Sequence, residues 1–231
     1  MASGRDVEIT VVADEQAVAR LVAERLVEQA RAGGSIVLTG GSTPPIAYAL
    51  AAGMEPDWSR VDLWWGDERC SPPDDPNSNY GQAKASLLDR LETPPASVHR
   101  MQGELGRDEG AAAYARELEG VGTFDLVLLG LGPDGHIASL FPNFPTLDVT
   151  EPAAIGSEAG HEPFIDRITM VMPRICDTRE LLFLVAGDGK ADAVARALAG
   201  APSHDTPGSL ARASGAGSTR AVLDEAAAAK L

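Results

Sequence analysis

The chain is poor in cysteine, in basic residues and in long apolar runs, and each shortage removes a class of protein. Only two cysteines, Cys70 and Cys176, occur among 231 residues, and neither belongs to a C-x-x-C or histidine-rich pattern. A disulfide framework or a zinc knuckle needs several such residues at defined spacing, so neither is expected, and a reduced compartment fits best. Lysine and arginine number 19 against 34 aspartates and glutamates, a formal net charge of -15. The field of so acidic a body opposes nucleic acid and anionic lipid, and neither is an expected partner. No uninterrupted apolar run is long enough to span a bilayer, and the opening MASGRDVEITVVADEQA has no basic segment leading into an apolar one. A cytoplasmic protein is the expectation.

What is present is ordinary globular composition, 44% hydrophobic and 23% charged. The length suits one hydrophobic core, so residues 1–231 are read as a single α/β domain. Val7 to Val12 alternates as a strand does, and Asp14 is placed to cap a helix running to about Ala32. SIVLTGG then reads as a short buried strand, STPPIAYALAA as the next helix and Val61 to Trp65 as a third strand. Helices are expected at Ser78 to Leu91 and Asp108 to Leu118. Phe124 to Leu129 is almost purely apolar, the mark of a central strand covered on both faces. Ile168 to Val171, Leu181 to Ala186 and Thr219 to Leu223 read as later strands, Asp188 to Leu198 as a helix and DEAAAAKL as a closing one. The Gly-, Pro- and Ser-rich stretches at Pro152 to Asp166 and Ala201 to Ser218 read as surface loops. Strands alternating with helices imply a Rossmann-like domain with a mainly parallel central sheet flanked by helices.

Four segments can carry chemistry. Thr39-Gly40-Gly41-Ser42-Thr43-Pro44 places glycines between a strand end and a helix start, where free amides, the helix dipole and two hydroxyls suit an anion. Alone it is equally a tight turn with a helix cap, and it has neither P-loop nor G-x-G-x-x-G spacing, so no nucleotide is implied. Trp64-Trp65-Gly66-Asp67-Glu68-Arg69 ends a strand in two carboxylates and a guanidinium. Such a triplet is commonly a solvated ion pair, but the carboxyl end of a parallel strand is where these folds bind ligands. Gly130-Leu131-Gly132-Pro133-Asp134-Gly135-His136 follows the most apolar strand, with the histidine expected at a helix start. An imidazole there can take a proton from water, and Asp134 is near enough in sequence to orient the ring; a structural or capping histidine is the alternative. Arg167-Ile168-Thr169 and Gly187-Asp188-Gly189-Lys190 supply further cations, Lys190 being one of only three lysines and a candidate phosphate or oxyanion partner. His99, His161 and His204 lie in linker-like sequence and receive no role.

Taken together, TGGSTP, WWGDER, SPPDDPNSNYG, LLGLGPDGHIASLFP, RITM, LLFLVAGDGKA and the closing VLDEAAA resemble the 6-phosphogluconolactonase family nearly end to end. The resemblance implies a fold shared with glucosamine-6-phosphate deaminases and ribose-phosphate isomerase relatives, and hydrolysis of 6-phospho-D-glucono-1,5-lactone to 6-phospho-D-gluconate in the oxidative pentose phosphate pathway. It implies His136 as general base with Asp134 beside it, no cofactor and no metal. Gly40, Gly41, Ser42, Thr43, Asp67, Arg69, Arg167 and Lys190 would hold the substrate, a small sugar-phosphate lactone, in a monomer or weak homodimer. Two positions depart from the family pattern: Asp75 stands where many members carry histidine, and Cys176 where others carry asparagine.

Two other functions are weighed against this one. A glucosamine-6-phosphate deaminase shares the G-G-S-T-P and D-G-H segments, but it reads D-E-Y where this chain has Asp67-Glu68-Arg69. It also carries a glutamate in A-F-N-E-P where this chain has Phe141, which does no acid-base work. A non-catalytic sugar-phosphate sensor would keep the anion pocket, but no helix-turn-helix or basic region accompanies it.

Overall fold

Seven strands form the central sheet of the computed structural model, which describes residues 7–55, 57–160 and 162–231. His161 and the first six residues of the opening segment lie outside the described residues. The strands are β1 (Val7–Val12), β2 (Gly34–Leu38), β3 (Val61–Trp65), β5 (Ser97–His99), β6 (Phe124–Leu129), β9 (Thr178–Val185) and β10 (Ser218–Asp224), all paired in parallel in the order β1-β10-β9-β6-β2-β3-β5. A second sheet, antiparallel, joins β4 (Asp67–Arg69), β8 (Arg167–Met170) and β7 (Ala154–Ser157) in the order β4-β8-β7.

Period-two alternation divides the core. Leu126 and Leu128 of β6, Ile36 and Leu38 of β2, and Leu182 and Leu184 of β9 face one side. They pack there with α1 (Glu15–Ala32), α2 (Pro44–Met54) and Ala83 of α3 (Asn79–Ser86). Val127 and Leu129, Val37, and Leu181, Phe183 and Val185 face the other side. Their partners are Tyr114 of α4 (Arg107–Glu117), Ile175 of α5 (Met172–Cys176), Val194 of α6 (Ala191–Val194) and Ile168 and Met170 of β8. A strand buried on both faces needs apolar residues throughout, which is why β6 reads as an uninterrupted run.

Chain order reverses beside β2. From β2 the chain proceeds outward through β3 to β5, and β6, β9 and β10 then build on the opposite flank. The loops leaving β2 and β6 therefore part in opposite directions and open a crevice at the carboxyl ends of the strands. Two buried tyrosines secure the rims. Tyr48 of α2 donates to the Thr39 carbonyl (2.7 Å) and accepts from the Thr39 amide (3.0 Å). Tyr114 of α4 does the same for Trp65 (3.1 and 3.0 Å). Burial raises both phenols well above the ordinary tyrosine value, so they stay protonated donors.

Several sequence expectations need correction. No helix begins at His136: Leu140 donates to the Ile137 carbonyl in a tight turn with Ala138 at φ 46°. Ser139 is drawn instead toward Asp67 and Thr169, and such side-chain and cross-sheet bonds compete with helix formation. The stretch from Pro152 to Asp166 contains β7, and β4, β7 and β8 lie outside the parallel sheet; the pairing of β4 with β8 is a long-range contact that composition does not encode. Ser78 to Leu91 is helical only over α3, with a 3-10 turn at Leu88–Arg90. Asp188 to Leu198 breaks into a 3-10 turn, α6 and a π-turn at Ala195–Ala199. Of DEAAAAKL, Asp224 closes β10 and residues 225–230 form turns, with no helix. β5 and α5, both short, were not expected.

Glu68 ties β4 to α3. Its carboxylate, 2% exposed, accepts from the amides of Asn79 (2.7 Å) and Tyr80 (2.7 Å), from the Ser78 hydroxyl (3.0 Å) and from its own neighbour Arg69 N (2.7 Å). Burial pushes this carboxyl above the usual range while the four donors oppose the shift. Glu68→Ala would strand four donors in the interior, and denaturant unfolding should show a loss of about 3 kcal/mol or more. A loss within 1 kcal/mol would mean that water replaces the carboxylate.

Candidate active site

Four parallel strands deliver the site. The segments after β2 (Thr39 to Pro44), β3 (Asp67 and Arg69), β6 (Gly130 to Pro133, His136 and Ala138) and the end of β9 with the turn after it (Leu184 to Ala186, Lys190) surround one cleft of about 220 Å³. Asn79, at the first position of α3, completes the wall.

The turn after β6 builds a histidine–carboxylate pair. Gly132 N donates to the His136 carbonyl (2.8 Å) and Gly135 N to the Gly132 carbonyl (2.9 Å), closing the loop on itself. Gly135 sits at φ 99°, a left-handed conformation that only glycine adopts readily. The closed loop brings Asp134 Oδ1 to 2.6 Å from His136 Nδ1 and 3.1 Å from the His136 amide. With Nδ1–H donated to Asp134, the imidazole's basic lone pair is on Nε2. Phe141, 1% exposed, lies with its ring centroid 5.0 Å from that of His136 and forms an apolar wall.

Across the cleft, the loop after β2 presents backbone donors. Among the described residues, the amides of Gly40, Gly41, Ser42 and Thr43 have no hydrogen-bond acceptor. Pro44 and Pro45 open α2 without N–H groups of their own, so the donors at this helix end are those loop amides. The Ser42 side chain is exposed to the cleft, whereas the Thr43 hydroxyl donates to Glu15 Oε1 (2.8 Å) and is already engaged.

Two cations, Arg69 and Lys190, line the cleft with this loop and the histidine, and a third, Arg167, lies beside Arg69. Arg69 donates to the Asn77 carbonyl, while its Nε is buried without a hydrogen-bond partner. Arg167 pairs with Arg69 across the β4–β8 ladder and gives its guanidinium to the carbonyls of Ile165 (2.8 Å) and Pro163 (3.0 Å). Burial and the neighbouring Arg69 charge lower its pKa. Lys190 is half-buried, and burial lowers its pKa while the Asp134 charge opposes the shift. Among the described residues none of the three forms an ion pair, in a chain whose net charge is -15. Cations free of direct ion pairs beside unpaired amides suit an anion.

Of the residues singled out from sequence, Gly40, Gly41, Ser42, Thr43, Asp67, Arg69, His136 and Lys190 line the cleft. Asp134 stands behind His136, and Arg167 lies beside Arg69, outside the cleft wall. Asp75 accepts from the Asn77 amide (2.8 Å) in a turn of its own, and Cys176 ends α5; neither lines the cleft. Sequence reading missed Asn79 and Ser139. The SNYG and HIAS segments contain them, but nothing local shows that both reach Asp67. No group of three or more histidine, cysteine, aspartate or glutamate side chains among the described residues is arranged to hold a metal ion. No helix among them is long and apolar enough to cross a membrane.

Residues 13–220 match the family model described as glucosamine-6-phosphate isomerases/6-phosphogluconolactonase. The chain belongs to this family. Its similarity within the family runs to the 6-phosphogluconolactonases. It is 43% identical to the 6-phosphogluconolactonase of Streptomyces coelicolor over 94% of this chain and 90% of that one, and 34% identical to the human protein of that name over 92% and 87%. Among solved structures, 6-phosphogluconolactonase from Trypanosoma brucei superposes with a TM-score of 0.84 at 26% identity, over 98% of this chain and 99% of that one. A monomeric glucosamine-6-phosphate deaminase reaches the same TM-score, 0.84, at 18% identity over 97% and 100%, so the fold is common to both branches of the family.

Proposed function

We propose that this family member hydrolyses 6-phospho-D-glucono-1,5-lactone to 6-phospho-D-gluconate, with His136 as the general base. The observation that carries the reading is the 2.6 Å His136–Asp134 pair in the same cleft as the amide cradle. The phosphate would lie on the Gly40 to Thr43 amides and the Ser42 hydroxyl, with Arg69 and Lys190 supplying charge and Arg167 reinforcing Arg69. The lactone carbonyl would then reach toward His136. Nε2 takes a proton from water as the oxygen attacks C1, and Asp134 stabilises the imidazolium that forms. The tetrahedral oxyanion is held by backbone amides of the cleft and collapses, breaking the bond from C1 to the ring oxygen. That oxygen leaves with the proton from His136, and the base is regenerated. Phe141 has no ionisable side chain where the deaminases carry a glutamate, which disfavours the deaminase reaction.

The test is hydrolysis of lactone generated fresh by glucose-6-phosphate dehydrogenase, followed by acid release against the spontaneous rate, with and without EDTA. Acceleration that persists in EDTA and is largely lost on unphosphorylated gluconolactone supports the reading. Binding of 6-phosphogluconate without any acceleration would make the protein a sensor and remove the catalytic roles.

Lys190 adds a pH dependence. Its cationic form exists below its pKa, and burial brings that pKa under the ordinary lysine value of about 10.4. Affinity for 6-phosphogluconate should therefore fall as pH rises toward 10. In Lys190→Arg it should stay level over the same range, as calorimetric titration would report.

A further inference from the structure

The phosphate and the lactone carbonyl leave the ring hydroxyls of the proposed substrate unaccounted for. Asp67 is the one carboxylate among the described residues lining the cleft, and it is 7% exposed. A carboxylate repels a phosphate dianion but accepts strongly from a hydroxyl, so within this cleft it suits the polyol part of a ligand.

Two side chains hold that carboxylate from opposite elements. Ser139 Oγ, 1% exposed, donates to Asp67 Oδ2 (2.7 Å) from the turn after His136. Asn79 Nδ2, at the start of α3, donates to the Asp67 carbonyl (2.9 Å) and to Oδ1 (3.2 Å). The Asn79 amide does so at a cost, because its own Oδ1 is buried with no hydrogen-bond partner. An unpaired buried acceptor is unfavourable by about 1–3 kcal/mol. In this orientation the amide gives both of its contacts with Asp67 through its donor group. Gly40 admits the arrangement: a Cβ there would overlap Asn79 Oδ1, so the cradle loop and the Asp67 support close on each other through a missing side chain.

We infer that Asp67, aimed by Asn79 and Ser139, accepts hydrogen bonds from ring hydroxyls of the lactone and makes the enzyme selective for hydroxylated over deoxy sugars. Asn79 and Ser139 are positioning residues, and Asp67 is the contact. The inference rests on the lactonase reading above. A site built around a buried acceptor discriminates strongly against ligands that leave it unpaired.

The experiment compares kcat/KM for the parent lactone with its 2-deoxy, 3-deoxy and 4-deoxy analogues in wild type, Asn79→Ala, Ser139→Ala and Ser139→Thr, each first checked by thermal melting. Wild type should disfavour at least one analogue by about 10²-fold. Asn79→Ala and Ser139→Ala should reduce that ratio by about tenfold or more, mainly by slowing the parent lactone, while Ser139→Thr, which keeps the hydroxyl, should retain it. Variants that slow all four lactones equally, or a wild type indifferent to every deoxy position, would overturn the inference. Wild type that fails to accelerate even the parent lactone would instead overturn the lactonase reading.

Discussion

His136→Asn is expected to lower kcat by about 10²–10⁴-fold with little change in the affinity for 6-phosphogluconate. Asparagine keeps a polar side chain of moderate size but has no basic nitrogen, so it cannot accept the proton that water must lose. The cradle at Gly40 to Thr43 is across the cleft and depends on none of the hydrogen bonds made by the imidazole, so product binding should survive. Asp134→Asn separates the two parts of the pair. It leaves His136 in place but replaces the carboxylate 2.6 Å from Nδ1 with a neutral amide, which neither stabilises an imidazolium nor enforces the Nε2-basic tautomer. Its loss of kcat should lie between wild type and His136→Asn. Steady-state kinetics on fresh lactone, corrected for spontaneous opening, decides the matter. If His136→Asn retains more than a tenth of wild-type kcat, another group activates the water.

The second large effect comes from a residue with no side chain. Gly132 does not have positive φ, so alanine meets no backbone objection there. Its Cβ, however, would overlap Nδ1 and Cε1 of His136 and reach 2.6 Å from Asp134 Oδ1. Something must move, and the ring or the carboxylate moves more readily than the backbone closed by the Gly132–His136 bond. A displacement near 1 Å in such a pair costs about 10²-fold in rate. Gly132→Ala should therefore lose kcat by about that factor. Gly53→Ala in α2, where a Cβ meets nothing within 4 Å, should leave the rate unchanged and make the helix slightly more stable. Circular dichroism and thermal melting distinguish a displaced pair from a collapsed fold. Wild-type activity in Gly132→Ala would show that the dyad geometry is not limiting.

Most of the parallel sheet is legible in the sequence, for a local reason. β6, β9 and β10 are buried on both faces, and α1 shows its cap at Asp14 and its apolar stripe; such patterns are written into short windows of sequence. The glycine turns that close on the cleft were legible for the same reason, since a strand ending in glycines must release its chain there. Residue types therefore determined an α/β fold, an acidic body and candidates at Gly40 to Thr43, Asp67, Arg69, Asp134, His136 and Lys190.

The tertiary structure decided what those candidates are to one another. β7 and β8 pair locally, but β4 joins them only because chain segments about a hundred residues apart meet, and that pairing sets Arg69 against Arg167. Asn79 and Ser139 became visible only when α3 and the turn after His136 converged on Asp67, across separations of 12 and 72 residues. Hydrophobic periodicity is a property of a window, whereas the desolvation of a carboxylate and the lack of an ion pair at a cation depend on neighbours brought in by packing. In this protein, sequence by itself determined which strands end at the cleft and set Asp134 beside His136, and folding decided that Asn79 and Ser139 hold Asp67 in place.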